Sequence, residues 1–181
     1  MGGDGVEIER KFIVATPPPP ALLASFAAPL HIEQRYLRSP RAGLTRRVRA
    51  MTDSGASRYF YTEKEPLPGP APASGSRAVV RAEREVEISA ARYRELCAEA
   101  DDDYRVVVKD RWRIPVGDLV FELDHVTAPV ELWVLEVELD DPDVPVVVPP
   151  EFGIVREDPA CSMAALARGT YPPGRGTLGP S

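Results

Sequence analysis

Glu7-Ile8-Glu9-Arg10-Lys11 and, far along the chain, Glu136-Val137-Glu138 set carboxylates at two-residue spacing among apolar neighbours. Alternate side chains of an extended strand share a face, so Glu7, Glu9 and Lys11 project to one side while Val6, Ile8, Phe12 and Val14 project to the other. Two carboxylates brought together in this way offer the hard oxygen donors that Mg²⁺ or Mn²⁺ takes. With an ammonium beside them, the face can hold metal and phosphate together.

The cations point the same way. The chain has three lysines, Lys11, Lys64 and Lys109, against nineteen arginines. Each lysine lies in a strand-like run with other charges at two-residue spacing, where a compact, mobile point charge suits a phosphate oxygen. Arg47 with Arg49, and Lys109 with Arg111, add further donors for such oxygens. Phosphoryl transfer needs little else from a protein, because a metal offsets charge, cations hold the phosphate chain in line and a polarised water attacks. The expected substrate is therefore a compact polyanion. No Ser-His-Asp or Cys-His arrangement, P-loop or Rossmann glycine pattern competes with this reading. His31 and His125 are too few for an imidazole metal site and read as structural or surface residues. Cys97 and Cys161 lie outside any metal-ligand spacing and read as buried free thiols.

Period-two alternation recurs at residues 6–14, 32–38, 44–51, 57–64, 78–88, 105–114, 118–126 and 132–140, which predicts eight mostly antiparallel strands. A helix is expected from Thr16, with prolines in its first turn, carrying Leu22, Leu23 and Phe26. Ser89 is the N-cap expected for a second, and Asp158-Pro159 opens a third that Gly169 ends. Residues 66–76, rich in Pro, Gly and Ser, are expected as a mobile loop, and 170–181 as a disordered tail.

Across the strands one face is apolar, from Ile8 and Phe12 through Trp112, Phe121 and Leu123 to Trp133, Leu135 and Val137. The other carries Glu7, Glu9, Lys11, Arg47, Arg49, Lys64, Glu85, Glu87, Lys109, Arg111, Glu122, Asp124, Glu136 and Glu138. A charged face is ordinarily a solvated one. Here, however, charges segregate by strand, whereas a solubilising surface mixes signs. Eight antiparallel strands can also close around a space large enough for one small ligand. If the charged face points inward, the interior is a polar tunnel.

At 181 residues with ordinary apolar content, one domain is expected, over 1–169. The net charge of -6 argues against general nucleic-acid binding. The first residues show no basic segment followed by an apolar stretch, and the apolar runs are too short to cross a bilayer, so a cytoplasmic protein without membrane attachment is expected.

Taken in order, Glu7-x-Glu9-x-Lys11, Gln34-Arg35-Tyr36-Leu37, Arg47-Val48-Arg49, Thr62-Glu63-Lys64, Glu85-Val86-Glu87, Lys109-Asp110-Arg111, Glu122-Leu123-Asp124 and Glu136-Val137-Glu138 resemble the CYTH superfamily, the triphosphate tunnel metalloenzymes. Length and the Gln-x-Tyr-Leu segment look most like its bacterial tripolyphosphatase group. That group typically has Gly where this chain has Arg35, and family members often have Gly in the region of Ala128-Pro129-Val130 and an aromatic near Cys161. The resemblance implies a mainly β fold with flanking helices (α+β), a closed eight-stranded antiparallel β-barrel forming a polar tunnel. It also implies Mg²⁺ or Mn²⁺ held by Glu7, Glu9 and Glu138 with Glu136 beside them, and a triphosphate gripped by Lys11, Arg47, Arg49, Lys64, Lys109 and Arg111. Glu85, Glu87 and Asp124 would orient the remaining cations, a second metal or the attacking water, and Tyr36 would line the entrance or pack in the core. The activity implied is triphosphate hydrolysis. An adenylyl cyclase and a noncatalytic polyphosphate-binding module are the alternatives. The implied partner is a small-molecule triphosphate, bound by a monomer or homodimer.

Overall fold

The computed structural model describes residues 4–67 and 78–171. Along it run β1 (Asp4–Val14), α1 (Pro20–Leu23), β2 (Leu30–Leu37), β3 (Thr45–Asp53), β4 (Ala56–Pro66), β5 (Val79–Ile88), α2 (Ala90–Cys97), β6 (Val107–Val116), β7 (Leu119–Ala128), β8 (Leu132–Glu138), β9 (Val155–Glu157) and α3 (Met163–Arg168). The strands order as β5-β4-β3-β2-β6-β7-β8-β1, all antiparallel, and β1 returns to β5. The sheet is thus a closed eight-stranded barrel, as the alternation and the strand count predict. No helix among the described residues is long and apolar enough to cross a membrane.

Local chemistry sets the turns. The β3–β4 hairpin closes through Ser54-Gly55, both at positive φ (49° and 87°), as a two-residue turn matched to strand twist requires. Gly117 takes φ 60° at the first loop position of the β6–β7 hairpin. Ser89 caps α2 by accepting from the Arg92 N–H at 3.1 Å, as expected.

Closure turns the charged face inward and leaves the apolar face outside, where it must be covered. The larger outer core gathers Phe12, Trp112, Ile114, Phe121, Leu123, Trp133, Leu135 and Val137 under Leu23, Phe26 and the segment carrying Val144, Val146, Val148 and Phe152. A second outer cluster, Leu37 and Val48, lies beneath Leu96 of α2. One end of the interior is apolar as well. Ile13, Val107, Val126 and Val134 meet Met163, Leu166 and Ala167 of α3, with Cys161, Tyr36 and Tyr171, and together they floor the barrel.

Several elements differ from expectation. The helix expected from Thr16 is only the four-residue α1, because Pro19 is extended (ψ 140°) and Pro17–Pro20 leave a single proline to open a helix. The third helix begins after Ser162, whose hydroxyl accepts from the Ala165 N–H. Asp158 instead makes a turn, its carboxylate accepting from the Ala160 N–H and from the Tyr171 hydroxyl. Strand β9 was not expected. It pairs with the end of β1 that β5 does not reach. β6 runs later than 105–114, and β8 stops at Glu138. Both cysteines are free, Cys161 buried and Cys97 half-buried. Most of the loop expected at 66–76, and the expected tail from 172, lie outside the described residues. Thr170 and Tyr171 belong to the packed structure.

The outer layer is the principal source of burial. Leu135→Ala, at a fully buried position in the larger cluster, is expected to lower unfolding stability by about 2 to 5 kcal/mol, and Ser89→Ala by about 1 kcal/mol, in urea titrations. A smaller loss at Leu135 than at Ser89 would show that the outer layer is not the main core.

Candidate active site

Side chains from all eight barrel strands line a cavity of about 940 Å³, floored by Ser162, Met163 and Ala164. Strand parity puts Glu7, Glu9 and Lys11 of β1, Arg47 and Arg49 of β3, Lys64 of β4, Glu85 of β5, Lys109 and Arg111 of β6, and Glu136 and Glu138 of β8 around it. The three lysines are all buried in this wall, at 5%, 9% and 3% exposure for Lys11, Lys64 and Lys109.

The charges interlock. Lys11 reaches Glu136 at 2.6 Å and Glu9 at 2.9 Å. Burial alone would lower its ammonium, but Glu136 and Glu7 hold it above its ordinary value. Asp124 lies wholly buried behind the wall, accepting from Lys109 at 2.5 Å and from Arg111 twice at 2.6 Å. Arg111 also reaches Glu136 at 2.8 Å. Burial would raise the Glu136 carboxyl, yet Lys11, Lys109 and Arg111 hold it well below the carboxylate range. Burial and the neighbouring Arg111 bring Lys109 down to about 8 despite Asp124 and Glu136. Lys64 is lowered by burial and Arg47 while donating to Glu7 at 2.5 Å.

Arg49 and Thr62 both donate to Glu85, which stays ionised below the ordinary carboxylate value although burial opposes it. Arg49 itself is brought to about 10 by burial and by Arg47. Gln34, fully buried, donates to the Tyr36 hydroxyl at 2.8 Å and accepts from Arg47 at 3.3 Å. Burial pushes the Tyr36 phenol up to about 12, so it remains a neutral hydroxyl at the cavity floor.

The carboxylates expected to hold metal are close in register, with Glu9 directly opposite Glu138 and Lys11 opposite Glu136. Among the described residues Glu138 makes no ion pair. Its pKa is raised by burial and by Glu7, Glu83 and Glu122. The Oε2 of Glu7 is buried without a hydrogen-bond donor. The unpaired Glu138 carboxylate and the unpartnered Glu7 oxygen fit a hard divalent cation. Among the described residues no three such groups are arranged as a metal cage, because Lys11, Lys64 and Arg81 engage Glu7, Glu9 and Glu136.

Glu87 departs from expectation. It is exposed and does not itself line the cavity; Arg58, which does, holds its carboxylate at the rim through bonds of 3.1 and 2.6 Å. Arg81 and Glu83, which do line the cavity, were missed. Both share strand parity with Glu85 and were legible by extending that alternation backward. Glu122 was placed on the charged face without a role. It pairs with Arg111 and lines the cavity.

No protein-family model and no curated protein matches the chain by sequence. Solved structures do. NE1496, an inorganic triphosphatase, is 30% identical in one structure, covering 90% of this chain and 97% of that one, and 29% identical in another, covering 90% and 94%, both at a TM-score of 0.53. PH1819 from Pyrococcus horikoshii shares the fold at a TM-score of 0.64 and 21% identity over 88% of this chain and 97% of its own. The bh2851 protein of Bacillus halodurans shares it at 0.54 and 15%, over 78% and 84%. The chain belongs to the CYTH superfamily, the triphosphate tunnel metalloenzymes.

A bound polyanion favours protonated Lys109. Affinity for tripolyphosphate in chelator is therefore expected to fall as pH rises through about 8, by up to about tenfold per pH unit, relative to Lys109→Arg, whose charge persists. Calorimetry in buffers of different ionisation enthalpy should show proton uptake by the wild type near that pH. Identical profiles for the two proteins would remove Lys109 from the anion site.

Proposed function

We propose that the chain is a divalent-metal-dependent hydrolase of inorganic tripolyphosphate or a related organic triphosphate. The observation that carries this reading is a cavity walled by Lys11, Arg47, Arg49, Lys64, Lys109 and Arg111 in which the Nε donors of Arg47 and Arg49 are buried without acceptors. Buried guanidinium donors lacking acceptors suit an anion with several oxygens. Likeness to NE1496 supports the same substrate class.

Glu7, Glu9 and Glu138, with Glu136 beside them, would hold Mg²⁺ or Mn²⁺. When bound, the metal supplies charge neutralisation on the phosphoryl oxygens. The chain's own residues do the positioning. Lys11, Arg47 and Lys64 bind phosphoryl oxygens, Asp124 aims Lys109 and Arg111, and Glu85 aims Arg49. Tyr36 keeps its proton and offers a hydrogen bond at the floor. Water attack on the terminal phosphorus would release orthophosphate and leave pyrophosphate.

Phosphate and pyrophosphate release from tripolyphosphate, thiamine triphosphate and ATP, with Mg²⁺, Mn²⁺ or chelator and with cyclic AMP detection, tests the reading. Metal-dependent phosphate release strongest on tripolyphosphate is the expected result. Cyclic AMP with pyrophosphate from ATP would make the protein a cyclase, and thermal stabilisation by tripolyphosphate without turnover would make it a binding module. Glu9→Gln and Glu138→Gln are each expected to lower metal-dependent kcat/KM by about 100-fold or more with the circular dichroism spectrum unchanged. Full activity in both would overturn the metal assignment. Lys11→Ala is expected to weaken turnover, and unchanged kinetics would remove Lys11 from the substrate grip.

A further inference from the structure

Arg81 stands opposite Glu7 in the β1–β5 register. Its guanidinium contacts the Glu9 carboxylate through NH2, and its Nε lies 3.8 Å from Glu7 Oε2. The fit is incomplete on both sides, for Arg81 Nε and Glu7 Oε2 are each buried without a hydrogen-bond partner. A guanidinium designed for a permanent pair with two carboxylates would use its planar fork to satisfy both. This one shares Glu7 with Lys64 and Glu9 with Lys11, and leaves a donor and an acceptor unused.

We infer that Arg81 is an internal stand-in for the divalent cation, covering Glu7 and Glu9 until metal displaces it and then turning its freed guanidinium to the anion. The inference rests on the proposed metal-dependent reading. The charge balance of the site favours this exchange. Glu7 and Glu9 cannot lie together uncompensated in a buried wall. Metal arriving there leaves Lys11 its second partner Glu136 and Lys64 its second partner Glu83, whereas the ion pairs of Arg81 among the described residues are with Glu7 and Glu9, so Arg81 becomes the surplus cation. Arg47, Arg49 and Lys64 already line the same cavity for an anion to join. Metal and polyphosphate then bind cooperatively, because one prepares the seat of the other.

The test is Mn²⁺ titration without substrate, followed by pyrophosphate titration at saturating Mn²⁺, both by calorimetry, on the wild type, Arg81→Gln, Arg81→Lys and Arg58→Gln. Arg58 carries the same charge at the rim and pairs with Glu87, not with Glu7 or Glu9. Arg81→Gln is expected to tighten Mn²⁺ by about tenfold, equivalent to about 1.4 kcal/mol, and to weaken pyrophosphate. Arg81→Lys should fall between it and the wild type, and Arg58→Gln should leave Mn²⁺ affinity within about twofold of wild type. Unchanged or weaker Mn²⁺ binding in Arg81→Gln, with normal Mn²⁺ binding by the wild type, overturns the inference and leaves the metal site standing. Equal tightening in Arg58→Gln also overturns it, since a general loss of positive charge would then be the cause. If neither the wild type nor any variant binds Mn²⁺, the metal-dependent reading itself fails and the inference with it. A wild-type circular dichroism spectrum in each variant excludes misfolding as the source of any change.

Discussion

Sheet closure is the constraint on which the rest of the molecule depends. It forces every second residue of eight strands into one confined space, and this chain has placed its charges there. Each buried ion costs several kcal/mol unless it is paired and hydrogen-bonded, so the interior survives only as a woven set of opposite charges, with Asp124 between Lys109 and Arg111, and Glu136 between Lys11 and Arg111. Such an interior contributes little net stability. The hydrophobic core has therefore moved outside the barrel, where α1, α2 and the proline-rich segment before β9 cover it. The fold is inverted relative to an ordinary small barrel, with apolar skin beneath a thin cover and ions at the centre.

That inversion is also why so much was legible in advance. Alternation with period two shows directly which residues share a face, and a segregated charged face across eight runs leaves few architectures to choose from. Positions such as Glu7, Lys64 and Arg111 follow from parity alone. What parity does not carry is pairing partner and depth. Glu87 obeys the same alternation as Glu85, but it stays out of the cavity lining because the exposed Arg58 at the rim takes up its carboxylate. Asp124 has the same pattern as Glu122, yet it is buried behind two cations. Short elements held by tertiary contacts, such as β9 and the shortened α1, have no periodicity long enough to announce them.

The division of labour between the two kinds of cation has a physical basis. The outward-facing Arg10 pairs with Glu157, where a planar fork matches a carboxylate at both oxygens. All three lysines face inward instead. An ammonium on a flexible stem can change partners by rotation alone, whereas a bidentate guanidinium must break two bonds at once. The interior network therefore includes cations able to exchange one oxygen for another without disturbing the strands that carry them.

The apolar floor gives the barrel a direction. Ile13, Val107, Val126 and Val134 close one end against α3 with no exposed surface at any of the four. A linear polyanion entering such a vessel cannot thread through it. It can only present a terminus, and how far it goes in is measured from the stopper upward, so the geometry discriminates between chain ends and chain middles before any single contact is made.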